Sequence, residues 1–292
     1  MAPFLHRLCS IFSFLGLLLL SMGFLTGKEE VKILSEIKLQ ADLKSGKKGV
    51  PQVQAAFGKY SIETPVTYIG KEQDFKHLTV EKDKEMAAAF VFRIHRDKDG
   101  DRDKVWPKGQ ERQRNEIKGY QSSPKTLKAL HGEVTRYHWY LKIDESFAIT
   151  KNFCHFFQLK PVGGENSSDP LLTLSGSIFQ GKPQLEIRLW SKDRNDRMFV
   201  ADWKDCKGKW FECECIAKIG EKGFLRFSLA SSDNTIRFAR EFPRFATWRP
   251  GISFVRPKWG IYRSLANKEA IPNEEDEVRM TNFTIQKLSR LP

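Results

Sequence analysis

GEVTRYHWYLKI, residues 132–143, sets Tyr137, Trp139, Leu141 and Ile143 against Arg136, His138, Tyr140 and Lys142. Successive strand side chains point to opposite faces, so this stretch predicts a half-buried β-strand. Similar short runs recur at Thr67–Ile69, Ala87–His95, Arg114–Tyr120, Phe153–Leu159, Leu171–Leu174 and Leu185–Trp190. They continue at Trp210–Ile219, Gly223–Leu229, Ser253–Tyr262 and Val278–Leu288. Regularly spaced runs of this kind favour a β-sandwich or barrel over βαβ units. Two short helices are expected, one at Ser123–His131 with Pro124 near its first position and one at Leu34–Lys47. No repeat, low-complexity tract or linker divides the chain.

The N-terminus has a different character. Arg7 precedes an apolar stretch from Ile11 to Leu25, and the small residues Ser21 and Gly23 precede Lys28. This is the layout of a cleaved secretory signal over residues 1–27. An uncleaved anchor is the alternative, but the stretch is short for a bilayer span of about 20 residues. Residues 28–292 are then expected to form one domain, secreted and free of the membrane after cleavage. With 40% hydrophobic and 12% aromatic residues, that domain has ample material for a core.

The 292-residue chain carries 49 Lys+Arg against 36 Asp+Glu, a formal charge of +13. Arg7 is the one charged residue before Lys28, so nearly all of that excess stays in the mature part. A basic surface outside the cell meets acidic polysaccharide more readily than nucleic acid. Solubility alone is the plainer account of the charge. Cys154, Cys206, Cys213 and Cys215 remain after Cys9, an even number that permits two disulfides. Asn166 and Asn282 head glycosylation sequons, and Asn166, outside the expected strands, is the better acceptor. Asp97, Asp99, Asp101 and Asp103 alternate around Gly100 without the order or distant Glu of an EF-hand, so a solvated turn is expected there.

Three segments could carry chemistry. In QRNEIK (113–118), Arg112, Arg114, Glu116 and Lys118 share one strand face, and Gln113, Asn115 and Ile117 the other. A solvated edge is the plain reading of such a charged face. In HFFQLK (155–160), strict alternation places Phe156, Gln158 and Lys160 on one side. Phe153, His155, Phe157 and Leu159 then make a core side, with His155 a hydrogen-bonded core residue. In RPKWGIYRS (256–264), Arg256, Lys258, Gly260 and Tyr262 alternate, and Gly260 leaves room for a ligand to approach the backbone. Cations, amides and one phenol on three strand faces suit an acidic sugar. β-Elimination across C4–C5 of a uronate needs its carboxylate neutralised, the C5 proton removed and O4 protonated. A phenol titrates near 10, and a nearby Lys258, Arg256 or Arg263 favours its ionised form. Tyr262 is therefore the candidate acid and base.

The order of an RxE strand, a QxK strand and a late KxGxY strand resembles the jelly-roll polysaccharide lyases. Lys160 stands where alginate lyases of this architecture carry His, and Arg256-Pro257 precedes Lys258. In these respects the chain is more similar to the glucuronan lyase family, and more distantly to heparin-lyase-like proteins. ERQRNEIKGYQSSPKTLKA, GEVTRYHWYLKI and VRMTNFTI add to the likeness, which covers Thr67 to Leu288. The resemblance implies a concanavalin-like, all-β sandwich of two antiparallel sheets and cleavage of β-1,4-linked polyuronate. It implies catalysis by Tyr262, with Gln158 and Arg114 on the uronate carboxylate. Arg112, Lys160, Lys258 and Arg256 are expected along the subsites, with Glu116 orienting Arg114. Trp190 and Trp259 are candidate sugar platforms. No cofactor is required for the reaction, although the resemblance implies a structural calcium ion. A monomer is expected. The competing readings are a non-catalytic glycan-binding protein on the same fold and an extracellular interaction protein holding acidic glycans.

Overall fold

A computed structural model describes residues 30–46, 48–65, 76–99, 112–191 and 195–292. The signal-like segment 1–27, the expected strand at 67–69, and Asp101 and Asp103 lie outside the described residues. The chain divides into Met1–Glu30, of which Glu30 alone is described, and Val31–Pro292, which forms one compact unit. No helix among the described residues is long and apolar enough to cross a membrane.

The strands are β1 (Ile33–Leu39), β2 (Ile62–Glu63), β3 (Leu78–Asp83), β4 (Ala87–His95), β5 (Arg112–Lys118), β6 (Val134–Ile143), β7 (Cys154–Val162) and β8 (Leu172–Phe179). They continue as β9 (Lys182–Trp190), β10 (Asn195–Asp202), β11 (Trp210–Lys218), β12 (Gly223–Ser231), β13 (Arg237–Phe245), β14 (Phe254–Ser264) and β15 (Glu275–Leu288). All pair antiparallel in two sheets. The first sheet runs β13-β12-β11-β6-β15-β4-β3, with β1 added against β15. The second runs β10-β9-β8-β7-β14-β5-β2. The chain is thus the all-β sandwich that its alternating runs predict.

β6 shows why. Tyr137, Trp139, Leu141 and Ile143 are fully buried, while Arg136, His138, Tyr140 and Lys142 face outward. Trp139 stacks on Phe157 of the opposite sheet at 4.4 Å, and Trp259 meets Phe283 at 5.2 Å. Aromatic pairs in these geometries add to the apolar burial that joins the sheets. Trp259 is therefore core, which removes it as a sugar platform. Gly260 is likewise closed. A Cβ there would collide with the Asn115 carbonyl and press on Glu116 and Phe92, so no ligand approaches through it.

Two helix expectations are corrected. Ile33–Leu39 is a strand, because Ile37 and Leu39 pair with Ile285 and Phe283 of β15. The first helix, α1, is Val50–Phe57, and it buries Val53 and Phe57. Ser123–His131 forms a single 3-10 turn at Lys125–Leu127, since Ala129 bridges to Val255 instead. A four-residue helix, α2, spans Trp203–Cys206. The four described cysteines are free, buried thiols, so the two disulfides that their number permits are not formed. Burial pushes Cys154 and Cys206 up to about 12.

Candidate active site

In the second sheet β14 is flanked by β5 and β7. Its register sets Tyr262 opposite Arg114 on one side and His155 on the other. Lys258 stands opposite Lys118 and Gln158, and Arg256 opposite Lys160. The three segments singled out in the sequence thus meet on one outward face.

The charged face of β5 is not a solvated edge. Arg114, Glu116 and Lys118 are all buried beneath their neighbours. Glu63, delivered by the two-residue β2, is the residue that the sequence reading missed. Its carboxylate takes Arg114 at 3.0 Å and both Lys118 and Lys258 at 2.5 Å. Glu116 takes Lys258 and the Gln158 amide, each at 2.5 Å, and lies 3.6 Å from Arg114. Glu116 therefore orients Gln158 and Lys258 more directly than Arg114, which Glu63 holds. Nothing in the sequence around Ile62–Glu63 marks this role, because only the pairing of β2 with β5 creates it.

Tyr262 is nearly buried, and its surroundings are cationic. Arg112 Nη1 donates to Tyr262 Oη at 2.7 Å. The Arg114 guanidinium lies 4.0 Å from the ring centroid and the Lys258 ammonium 6.0 Å away. Arg263, expected near the phenol, points through the sheet to Asp276 and Gln113. Arg256 also misses it, donating to the Gly119 carbonyl and lying 5.5 Å from the Tyr120 ring.

His155 is the second correction. β7 bulges at Phe156, between His155 and Phe157 in its pairing with β8. Phe156 packs on Phe147 and Trp203, and Phe157 on Trp139, so both adjacent aromatics enter the core. The shift turns His155 out to the Tyr262 face. Its ring lies 6.0 Å from Tyr262 and 6.2 Å from Trp190, and its Nδ1 meets Ser175 Oγ at 2.8 Å. The Phe-Phe pair was the available signal, since strict alternation cannot bury both.

Positive charge exceeds negative on this face. Among the described residues, Arg112, Arg114, Lys118, Lys160, Arg188, Arg256 and Lys258 outnumber the carboxylates Glu63, Glu116 and Glu186 on this face. Burial, reinforced by neighbouring cations, pushes Lys160 down to about 7 and Lys118 down to about 8 despite the nearby Glu63. Lys258 is lowered by burial and by Arg114, against the pull of Glu116 and Glu63. Burial, with Arg188 and Lys160 nearby, holds His155 well below its ordinary range and keeps the imidazole neutral. Arg112 and Lys160 are half-buried and reach solvent, whereas Lys258 and Lys118 lie underneath. Beyond His155 the half-buried Trp190 lines a cavity of about 390 Å³ together with Trp248, Arg249 and Asp169.

Calcium takes six to eight oxygen ligands. Asp97 is committed to Arg96 and Lys268, and Asp99 turns inward onto His77 and His95. The described residues of the Asp-rich turn do not fit a calcium cage.

No protein-family model and no curated protein sequence matches the chain. Solved structures do. The alginate lyase from Klebsiella pneumoniae matches with a TM-score of 0.52 at 12% identity, over 86% of this chain and 94% of that one. A marine alginate lyase of polysaccharide lyase family 14 from Aplysia kurodai matches with a TM-score of 0.52 at 9% identity, over 87% and 98%. The endo-β-1,4-glucuronan lyase of the fungus Trichoderma reesei is 14% identical over 79% and 95%, with a TM-score of 0.44. The chain has the jelly-roll fold of the two alginate lyases.

Proposed function

We propose that the chain is a secreted polysaccharide lyase that cleaves an acidic, uronate-containing polymer by β-elimination. The observation that carries this reading is Tyr262, set among Arg112, Arg114 and neutral His155 at the centre of an over-cationic sheet face. An excess of buried cations is unfavourable on its own and is relieved by a polyanion. Arg112 and Lys160 contact the polymer, and Arg114 and Gln158 sit where charge develops on the uronate carboxylate. Cations placed there lower the barrier by meeting the enolate-like charge as it forms. The C5–H bond breaks, its electrons form C4=C5, the C4–O4 bond breaks, and O4 leaves with a proton. Tyr262, as the phenolate that the Arg112 hydrogen bond stabilises, takes the C5 proton and returns it to O4, with the neutral His155 beside it. No cofactor enters these steps.

Lys160 in the QxK strand favours a β-1,4-glucuronan-like substrate over alginate. A purified sample is offered β-1,4-glucuronan, alginate, heparan sulfate and pectate, and the ultraviolet absorbance of the new double bond is followed. Glucuronan is expected to give the fastest rise. No rise with any polymer overturns the lyase reading. Binding without turnover would establish the alternative, a glycan-binding protein on the same fold.

A further inference from the structure

Beside the start of β3 and the end of β4, outside the three motifs, two imidazoles converge on one carboxylate. His77 Nε2 lies 2.8 Å from Asp99 Oδ1, and His95 Nδ1 lies 3.2 Å from Asp99 Oδ2. His77 stands just before β3, His95 ends β4, and Asp99 lies in the turn that follows. All three are buried, and their donor atoms lie within 4.8 Å of one another. The two rings meet edge-on, with centroids 5.4 Å apart. Among the described residues this is the one group of three or more such donors close enough to hold a metal.

We propose that His77, His95 and Asp99 form a structural site for a divalent transition metal of the zinc type. The donor set decides the class. Two imidazole nitrogens and one carboxylate suit zinc, whereas calcium prefers oxygen throughout. Zinc bonds of about 2.0 Å in a tetrahedral arrangement separate donor atoms by about 3.3 Å. The two histidines approach opposite oxygens of Asp99, at 2.8 and 3.2 Å, so the carboxylate has to turn to present one oxygen to an ion shared with both nitrogens, the three donor atoms already lying within 4.8 Å of one another. A second, independent feature points the same way. The outer nitrogen of His95, Nε2, meets Glu275 Oε2 at 2.8 Å. A carboxylate on the far nitrogen fixes the tautomer and orientation of a metal-binding histidine. The backbone N–H of His95 also donates to Asp99 Oδ2 at 2.7 Å, which holds the carboxylate in place. The site would tie the approach to β3 to the end of β4, and it is independent of the lyase reading.

The test uses the full chain, stripped with a chelator and dialysed, then titrated calorimetrically with zinc chloride and with calcium chloride. One equivalent of zinc is expected, with a rise in melting temperature, and calcium is expected to produce neither. Cobalt(II) is expected to give the intense visible bands of a tetrahedral site. His77→Gln and Asp99→Asn should abolish uptake, and Glu275→Gln should weaken it about 10–100-fold. His131→Gln, at an exposed histidine paired with Glu221, should leave uptake unchanged. If folded wild-type protein takes up no zinc, the three residues are a hydrogen-bonded cluster only and the proposal fails. It also fails if uptake survives in both His77→Gln and Asp99→Asn. Should those variants not fold, the cobalt spectrum of the wild type decides, and absence of tetrahedral bands overturns the site.

Discussion

Arg112 donates a hydrogen bond from Nη1 to the phenol oxygen of Tyr262 at 2.7 Å, across the paired strands β5 and β14. A donor at that oxygen stabilises negative charge on it, and Arg114 beneath the ring acts in the same sense. The phenol is thereby equipped to hold charge during proton transfer.

Tyr262→Phe should lower kcat by about 10²–10⁴-fold while polymer affinity stays nearly unchanged, because the ring and its packing remain. Double-bond absorbance and calorimetric binding on the same sample measure the two quantities. Near-wild-type turnover in this variant would remove Tyr262 from the chemistry.

His155→Phe keeps an aromatic ring beside Phe153 and Trp190 but removes the nitrogen atoms. Turnover should fall with little change in melting temperature. Unchanged kcat would return His155 to a packing role.

Lys160 supplies a pH signature. Its folded value of about 7 lies below the ordinary lysine value near 10.4. A polyanion raises it again, so binding takes up a proton once the pH exceeds about 7, and affinity should fall by up to about tenfold per pH unit above that point. Below about pH 7 the lysine is charged in both free and bound protein, and the dependence should flatten. Lys160→Met should remove the slope. The same shift acts on stability. The unfolded chain binds a proton that the folded chain lacks between about pH 7 and pH 10, so this group makes stability rise with pH across that window. Calorimetric titration in buffers of different ionisation enthalpy counts the proton directly.

Glu63→Ala should destabilise the fold by about 3–5 kcal/mol, because it leaves buried Arg114, Lys118 and Lys258 short of a counter-charge. Urea unfolding measures this. A loss below about 0.5 kcal/mol, the range of an ordinary surface change, would mean that Glu63 is not the keystone of the cluster.

The two tryptophans should part company. Trp259→Ala is expected to cost about 3–5 kcal/mol of stability through the cavity it leaves between the sheets. Trp190→Ala should instead raise KM, since this half-buried ring lies between His155 and the neighbouring cavity. Thermal melts and substrate saturation curves on both variants make the comparison.

The fold class was readable from the chain alone. Strands such as β6 and β12 bury one face in the core, and burial of every second residue writes a period of two into the sequence. β10 and β13 escaped notice because they are edge strands of exposed, charged residues, where no burial enforces alternation. The segment at Ile33–Leu39 escaped for a related reason, since its strand state depends on β15, far away in sequence. Tyr262, Gln158, Arg114 and Lys160 could be placed on one face from alternation and resemblance. Glu63 could not, because two residues of β2 carry no periodicity. His155 was misassigned because a bulge changes the parity of a strand, and parity is all that alternation reads. The sequence by itself determined the strands, the basic excess and the phenol. Tertiary structure decided which carboxylates hold the cations and which way the histidine faces, because both depend on register between strands remote in the chain.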